Sequence, residues 1–277
     1  MPLAAQEAAL LLTEHVLEPF AGPVLVYGTQ AVNVAYDGAL WMLESLGLRA
    51  DPSGMIEPPP GDTSIDVAQL VKLLGLGDSQ TLDVDLNEAV PADLIGRFGL
   101  IIDAGTMEHV FDIRQGMKNT ADMLRPGGRV VHMSAVNNYV NNGLVQLSPT
   151  LFHDYYVENG FDDVRGIMMV QPRAATRAKR WNFFQYEHAT MGGVNSMFCS
   201  SDTQLAVYFT ARKNLRSTSE RVPMQSYFTR LSEGKDAVPY QFVVTHDRAQ
   251  STIRQINDSH PQVGEVQLFG PIWAIEL

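Results

Sequence analysis

Residues 98–111 read Phe-Gly-Leu-Ile-Ile-Asp-Ala-Gly-Thr-Met-Glu-His-Val-Phe. The run is apolar until Asp103, the pattern of a strand buried on both faces whose C-terminal end reaches a more polar place. Asp112 with Gln115 resembles a capping box, and Ile113, Met117, Ala121 and Leu124 share one helical face, so residues 112–124 read as a helix. Pro126-Gly127-Gly128 ends it, and residues 129–134, Arg-Val-Val-His-Met-Ser, form the next strand.

Moving outward, the same alternation continues. Ser148-Pro149 starts a helix over residues 150–159 that Gly160 stops, and residues 164–170 and 204–211 supply two further strands. Toward the N-terminus, residues 81–86 read as a strand. Residues 62–75 place Val67, Leu70, Val71 and Leu74 at helical spacing, with Gly75 as the stop. The prolines of residues 50–61 exclude a regular helix and leave room for a brief extended piece around Met55 to Glu57. Pro23-Val-Leu-Val-Tyr-Gly28 is a short apolar strand that turns into a helix over residues 36–48. Residues 1–22 form an amphipathic helix with Ala9, Leu12, Val16 and Phe20 on one face. Strands alternating with helices imply an α/β fold with a mostly parallel sheet covered on both faces. Ligands of such sheets bind at the C-terminal ends of the strands.

The chain of 277 residues carries a formal net charge of −11, which disfavours the phosphate backbone of nucleic acid as a partner. One cysteine, Cys199, excludes an intrachain disulfide or a cysteine zinc cluster. The absence of a basic leader before Glu7, Glu14 and Glu18, and of any apolar run of roughly 18 residues, points to a soluble cytoplasmic protein without membrane contact. No set of His, Asp and Glu residues has metal-ligand spacing, so no metal is expected.

The Glu108-His-Val element, with the helix and the Leu124-Arg-Pro-Gly-Gly128 turn that follow, resembles the fourth strand, helix and fifth strand of class I S-adenosylmethionine-dependent methyltransferases. Ser148-Pro-Thr-Leu-Phe152 and Asp154-Tyr-Tyr156 extend the resemblance to a bacterial methyltransferase-like subgroup. The resemblance covers roughly residues 23–212. It implies a Rossmann-like, doubly wound, mostly parallel seven-stranded sheet with an antiparallel strand near the end. Residues 1–22 would be an N-terminal helix, 23–216 the methyltransferase-like domain and 217–277 a small C-terminal appendage. It also implies S-adenosylmethionine as cofactor and methyl transfer to an oxygen or nitrogen of a small molecule, such as a specialised metabolite.

By the same resemblance, Asp85 and Leu86, at the end of the third strand, flank the adenine, with the carboxylate accepting from its amino group. Asp85 with Asn87 equally suits a turn cap. Asp103, Ala104 and Gly105 border the methionine end, or simply form a strand-to-helix turn. Gly28, Thr29 and Gln30 follow the first strand, where the family usually has three glycines and this chain has one, Gly28. Glu57, ahead of Asp51, is the candidate for the ribose hydroxyls. His109 follows the fourth strand, and an imidazole suits a general base. It equally suits a buttress for the helix. Asn138 and Tyr139 lie in the Asn-rich loop after the fifth strand, where an acceptor could be hydrogen-bonded. His132 and His153 read as packed core histidines.

Residues 173–202 form a long insertion that interleaves Arg173, Arg177, Lys179 and Arg180 with Trp181, Phe183, Phe184, Tyr186 and His188, which suits a lid over a planar or anionic substrate, a homodimer surface or a packed flap. Two rivals stand beside methyl transfer. One is a catalytically retired binding protein or partner subunit, suggested by the single-glycine loop. The other is an NAD(P)-dependent oxidoreductase, for which the glycine spacing after Gly28 is wrong.

Overall fold

A computed structural model describes residues 3, 5–29, 31–54, 64–172, 180–186, 203–233 and 265–269. Its strands are β1 (Val24–Val26), β2 (Ala31–Ala35), β3 (Ser64–Asp66), β4 (Ser79–Gln80), β5 (Phe98–Ala104), β6 (Leu124–Asn137), β7 (Asp162–Pro172), β8 (Arg180–Gln185), β9 (Thr203–Arg212) and β10 (Glu265–Phe269). Its helices are α1 (Ala5–Leu17), α2 (Tyr36–Ser45), α3 (Val67–Leu73), α4 (Ile113–Met123), α5 (Pro149–Glu158) and α6 (Ser226–Ser232).

The main sheet has the order β10-β8-β7-β9-β6-β5-β1-β4. From β4 to β6 neighbours are parallel, and β9 is antiparallel to both β6 and β7. This is a Rossmann-like sheet with one reversed strand near its end. The central part, β4 to β7, has six strands rather than the expected seven. Within the insertion, β8 pairs antiparallel with β7, and β10 pairs parallel with β8. A separate antiparallel pair joins β2 to β3, the latter lying where a helix over residues 62–75 is expected. The helix there is shorter, because Asp66 caps it by accepting from the Gln69 amide at 2.7 Å. In the expected C-terminal appendage, residues 242–245, a candidate strand, and 248–258, a candidate short helix, lie outside the described residues.

The expected third strand over residues 81–86 shrinks to Ser79–Gln80, and it pairs directly with β1. Polar Asp83, Asp85 and Asn87 interrupt the apolar run, and Asp85 turns the chain instead. At the other motif, β6 begins at Leu124, so Pro126-Gly127-Gly128 lies inside the strand at a register shift against β5. The capping box is half formed. Asp112 accepts from the Gln115 amide at 3.0 Å, but the Gln115 side chain donates to Asn119 and the Asp112 amide to Asn87.

The pleat divides the core into two layers. Leu100, Ile102, Val131 and Met133 pack with α1, α2 and α3, whereas Ile101 and Val130 pack with α4 and α5. The amphipathic reading of α1 needs correction, since residues 7–14 are all buried, Glu7, Thr13 and Glu14 included. Each fully buried leucine there contributes about 1.5–3 kcal/mol. Glu14, with Glu18 and Asp163, is held by a guanidinium network. Arg129 reaches Glu18 at 2.6 Å and Asp163 at 2.7 Å, Arg165 binds Glu14, and Arg212 meets Glu18 at 2.6 Å. Glu14, Glu18 and Asp163 bring three carboxylates within 4.8 Å, a spacing a cation could use, but the arginines already neutralise them.

No described helix is long and apolar enough to cross a membrane.

Candidate functional site

The strand order places a topological switch point between β1 and β5: the chain leaves β1 for β4 on one side, then returns to β5 on the other. The two strand ends are tied together there. The Tyr27 amide donates to Ile102 O at 2.9 Å, and Thr106 Oγ1 donates to Tyr27 O at 2.9 Å. Gly28 and Gly105, with φ of 70° and 82°, occupy the left-handed region just past β1 and β5 and present backbone without a Cβ. Gly28 and Thr29 are exposed, and Gly105 and Ala104 are buried.

Asp103 is wholly buried on the α4/α5 side. Its Oδ1 accepts from the amides of Thr106 at 2.9 Å and Met107 at 3.1 Å, while Oδ2 pairs with His132 Nδ1 at 2.7 Å. His132 Nε2 pairs with the Tyr156 hydroxyl at 2.7 Å, and the imidazole stacks on Phe152 with ring centroids 4.5 Å apart. The chain Asp103, His132, Tyr156 is therefore a closed, dry relay whose first member shapes the turn after β5. Burial pushes the Tyr156 phenol well above its usual range.

That turn, a 3-10 segment over Met107–His109, sends consecutive side chains opposite ways. Glu108 is fully buried and His109 is exposed. Glu108 Oε1 accepts from Asn142 Nδ2 at 3.2 Å, whereas Oε2 has no hydrogen-bond partner. Burial first, then the neighbouring Asp103 carboxylate, pushes the Glu108 carboxyl above the usual range. The loop after β6 covers it. Leu144 and Val145 amides donate to Glu108 O at 2.7 and 3.2 Å, and a Cβ on Gly143 would lie 2.7 Å from that oxygen.

Asn138 and Asn141 take left-handed conformations in that loop, with φ of 63° and 69°. Asn138 O accepts from Gln204 Nε2 at 3.3 Å. Tyr139 is buried beside Glu7 and Glu108, and desolvation followed by those two acids raises its phenol.

Asp85 is exposed. Its Oδ1 accepts from both the amide and the Nδ2 of Asn87, at 2.9 and 2.7 Å, which holds the carboxyl below its usual range. Leu86 packs on the α4/α5 layer, and its carbonyl accepts from Asn119 Nδ2 at 3.0 Å. Gln30 and Glu57 lie outside the described residues. The structure thus brings Gly28 and Thr29 next to Asp103, Ala104 and Gly105, and sets Tyr139 beside Glu108. It leaves His109 facing solvent.

Sequence reasoning passed over Glu108 although it is part of the quoted Glu-His-Val element. The choice of His109 rested on intrinsic imidazole chemistry, and only the turn geometry reveals which of the two neighbours points inward. The Tyr156 partner of His132 had no local signal, being 24 positions away on another element.

No protein-family model and no curated protein matches the chain. Among solved structures, it is similar to an S-adenosylmethionine-dependent methyltransferase from Thermotoga maritima, a possible histamine N-methyltransferase, with a TM-score of 0.39 and 11% identity over 75% of this chain and 89% of that one. It is similar to Burkholderia thailandensis 1,6-didemethyltoxoflavin-N1-methyltransferase with bound 1,6-didemethyltoxoflavin and S-adenosylhomocysteine, with a TM-score of 0.34 and 18% identity over 75% and 76% of the two chains. The trans-methyltransferase CalH in complex with S-adenosylhomocysteine gives a TM-score of 0.37 and 11% identity over 73% of this chain and 54% of that one. The strand order, directions and register of the main sheet define the fold.

Proposed function

We propose that the chain is an S-adenosylmethionine-dependent methyltransferase that acts on an oxygen or nitrogen of a small molecule. The observation that carries this reading is the coincidence of motif and topology. The Glu108-His109-Val110 element, quoted from sequence for its methyltransferase resemblance, follows β5 at the β1/β5 switch point, where α/β sheets bind their ligands.

The chain's own residues fit such a cofactor. Gly28 and Gly105 leave backbone without a Cβ just past β1 and β5, on either side of the switch point. Because β4 pairs directly with β1, Asp85 follows the strand that fills the second position from the switch point. In this reading it accepts from the ribose hydroxyls rather than from the adenine amine, and Glu57 is not needed for that task. S-adenosylmethionine supplies a methyl group on a positively charged sulfur, ready for in-line displacement. The protein's part is to orient the acceptor, exclude water and receive a proton. In the same reading residues 23–216 form the catalytic domain, and β8 belongs to an insertion beside the acceptor side of the sheet.

Calorimetric titration with S-adenosylhomocysteine, S-adenosylmethionine and NAD tests the proposal. Saturable binding of both adenosyl-sulfur ligands and none of NAD is expected, and no heat from either of the first two at millimolar concentration sinks it. Asp85→Ala should weaken both. The single-glycine loop favours one alternative, a retired binding protein. Binding without turnover across a broad panel of oxygen and nitrogen acceptors is the outcome that would select it.

A further inference from the structure

Two buried polar atoms without a hydrogen-bond partner sit toward the C-terminal ends of neighbouring strands. They are Glu108 Oε2, just past β5, and Ser134 Oγ, on β6 two residues beyond His132. An unmet buried polar atom lowers stability unless something supplies its partner. Of the two, Glu108 Oε2 belongs to a charged group just past β5, where a bound molecule could supply the missing donor. Asn142 engages only Oε1, so the Glu108 carboxyl is oriented with its other oxygen uncommitted.

We propose that Glu108, not His109, takes the proton from the acceptor nucleophile, with Oε2 facing the reacting centre and Asn142 holding Oε1. This rests on the methyltransferase reading above. In the step, a lone pair on the acceptor oxygen or nitrogen forms a bond to the methyl carbon, and the carbon–sulfur bond breaks with its electron pair kept by sulfur. The acceptor's proton passes to Oε2. The charges balance, because the sulfonium loses its positive charge as the carboxylate loses its negative one.

The groups facing this carboxyl are Asp103 from β5, Tyr139 and Asn142 from the covering loop, and Glu7 of α1 beyond Tyr139. The buried site and the Asp103 charge both favour the protonated form, which makes the carboxylate a stronger base than an exposed glutamate. The backbone bonds from Leu144 and Val145 to Glu108 O mean that the loop must lift for an acceptor to enter.

Proton release on ligand binding tests the assignment without knowledge of the acceptor. Calorimetry in buffers of different ionisation enthalpy, between roughly pH 5 and 8, reads it directly. A sulfonium beside Oε2 lowers the carboxyl's proton affinity, whereas the neutral thioether of S-adenosylhomocysteine does not. S-adenosylmethionine should therefore release more protons per site than S-adenosylhomocysteine, and Glu108→Gln should bind both while erasing the difference. Equal release in the wild-type protein, or a difference that survives in Glu108→Gln, overturns the proposal while leaving the methyltransferase reading intact. Failure of both ligands to bind the wild-type protein sinks the two together. If Glu108→Gln does not fold, isotope-edited infrared spectra of the wild-type protein take its place. Loss of a protonated glutamate band with S-adenosylmethionine relative to S-adenosylhomocysteine supports the assignment, and identical spectra overturn it.

Discussion

The two ends of the parallel strands handle buried charge in opposite ways. At the N-terminal end, Glu14, Glu18 and Asp163 meet Arg129, Arg165 and Arg212, and each carboxylate has a guanidinium partner. At the C-terminal end, Asp103 has both oxygens engaged, but Glu108 keeps one buried oxygen unmatched. A fully matched network fastens α1 to the sheet and leaves nothing over for a ligand. The unmatched oxygen is a local violation of hydrogen-bond economy, and such violations concentrate where proteins act on other molecules.

The contrast can be broken most forcefully at the matched end. Arg129→Met leaves the buried Asp163 with Arg165 alone, at 3.3 Å, and the half-buried Glu18 with Arg212 alone. It should cost about 3–5 kcal/mol in chemical denaturation, and a loss under 1 kcal/mol would mean that water reaches the network. Next in size, Tyr156→Phe strips His132 Nε2 of its partner and should cost about 1–3 kcal/mol. Its adenosyl-ligand affinity should stay near wild type if the relay only shapes the turn.

A pH-dependent difference sharpens the comparison at the unmatched end. The raised Glu108 carboxyl stabilises the folded state fully below the unfolded glutamate value, and that contribution is lost as pH rises through the folded value. Wild-type stability should therefore fall relative to Glu108→Gln as pH climbs above the ordinary carboxylate range. Parallel curves for the two proteins would place Glu108 in a wetter environment than its burial implies. The smallest effect belongs to His109→Ala, expected within about 0.5 kcal/mol in the same denaturation assay and without influence on proton release. A large loss of either would return His109 to the site.

Much of the fold was legible because its signals are local. The apolar run ending at Asp103, the Asp112 cap and the Ser148-Pro149 start all sit where the structure has the corresponding strand and helices. The short strands were not. Residues 64–66 carry too few positions to display a period of two, and their partner β2 lies far earlier in the chain. For α1, periodicity suggested one apolar face. Glu14 and Glu18 are fastened to the sheet because arginines from β6, β7 and β9 meet them there, a pairing without a local trace. At the site, the sequence located the neighbourhood through Gly28, Gly105 and Glu108-His109. It did not separate inward from outward at the turn, because two Asp103 hydrogen bonds decide that orientation.

The guanidinium network also sets a timetable for synthesis. Glu18 leaves the ribosome 194 residues ahead of Arg212, and Glu14 leaves 151 residues ahead of Arg165. At about 5–20 residues per second, α1 waits roughly ten to forty seconds for its last ionic partner. During that interval its leucines and buried acids have no finished sheet to enter. The helix made first is among the last to be seated, so nascent chains arrested before β9 should present it to chaperones.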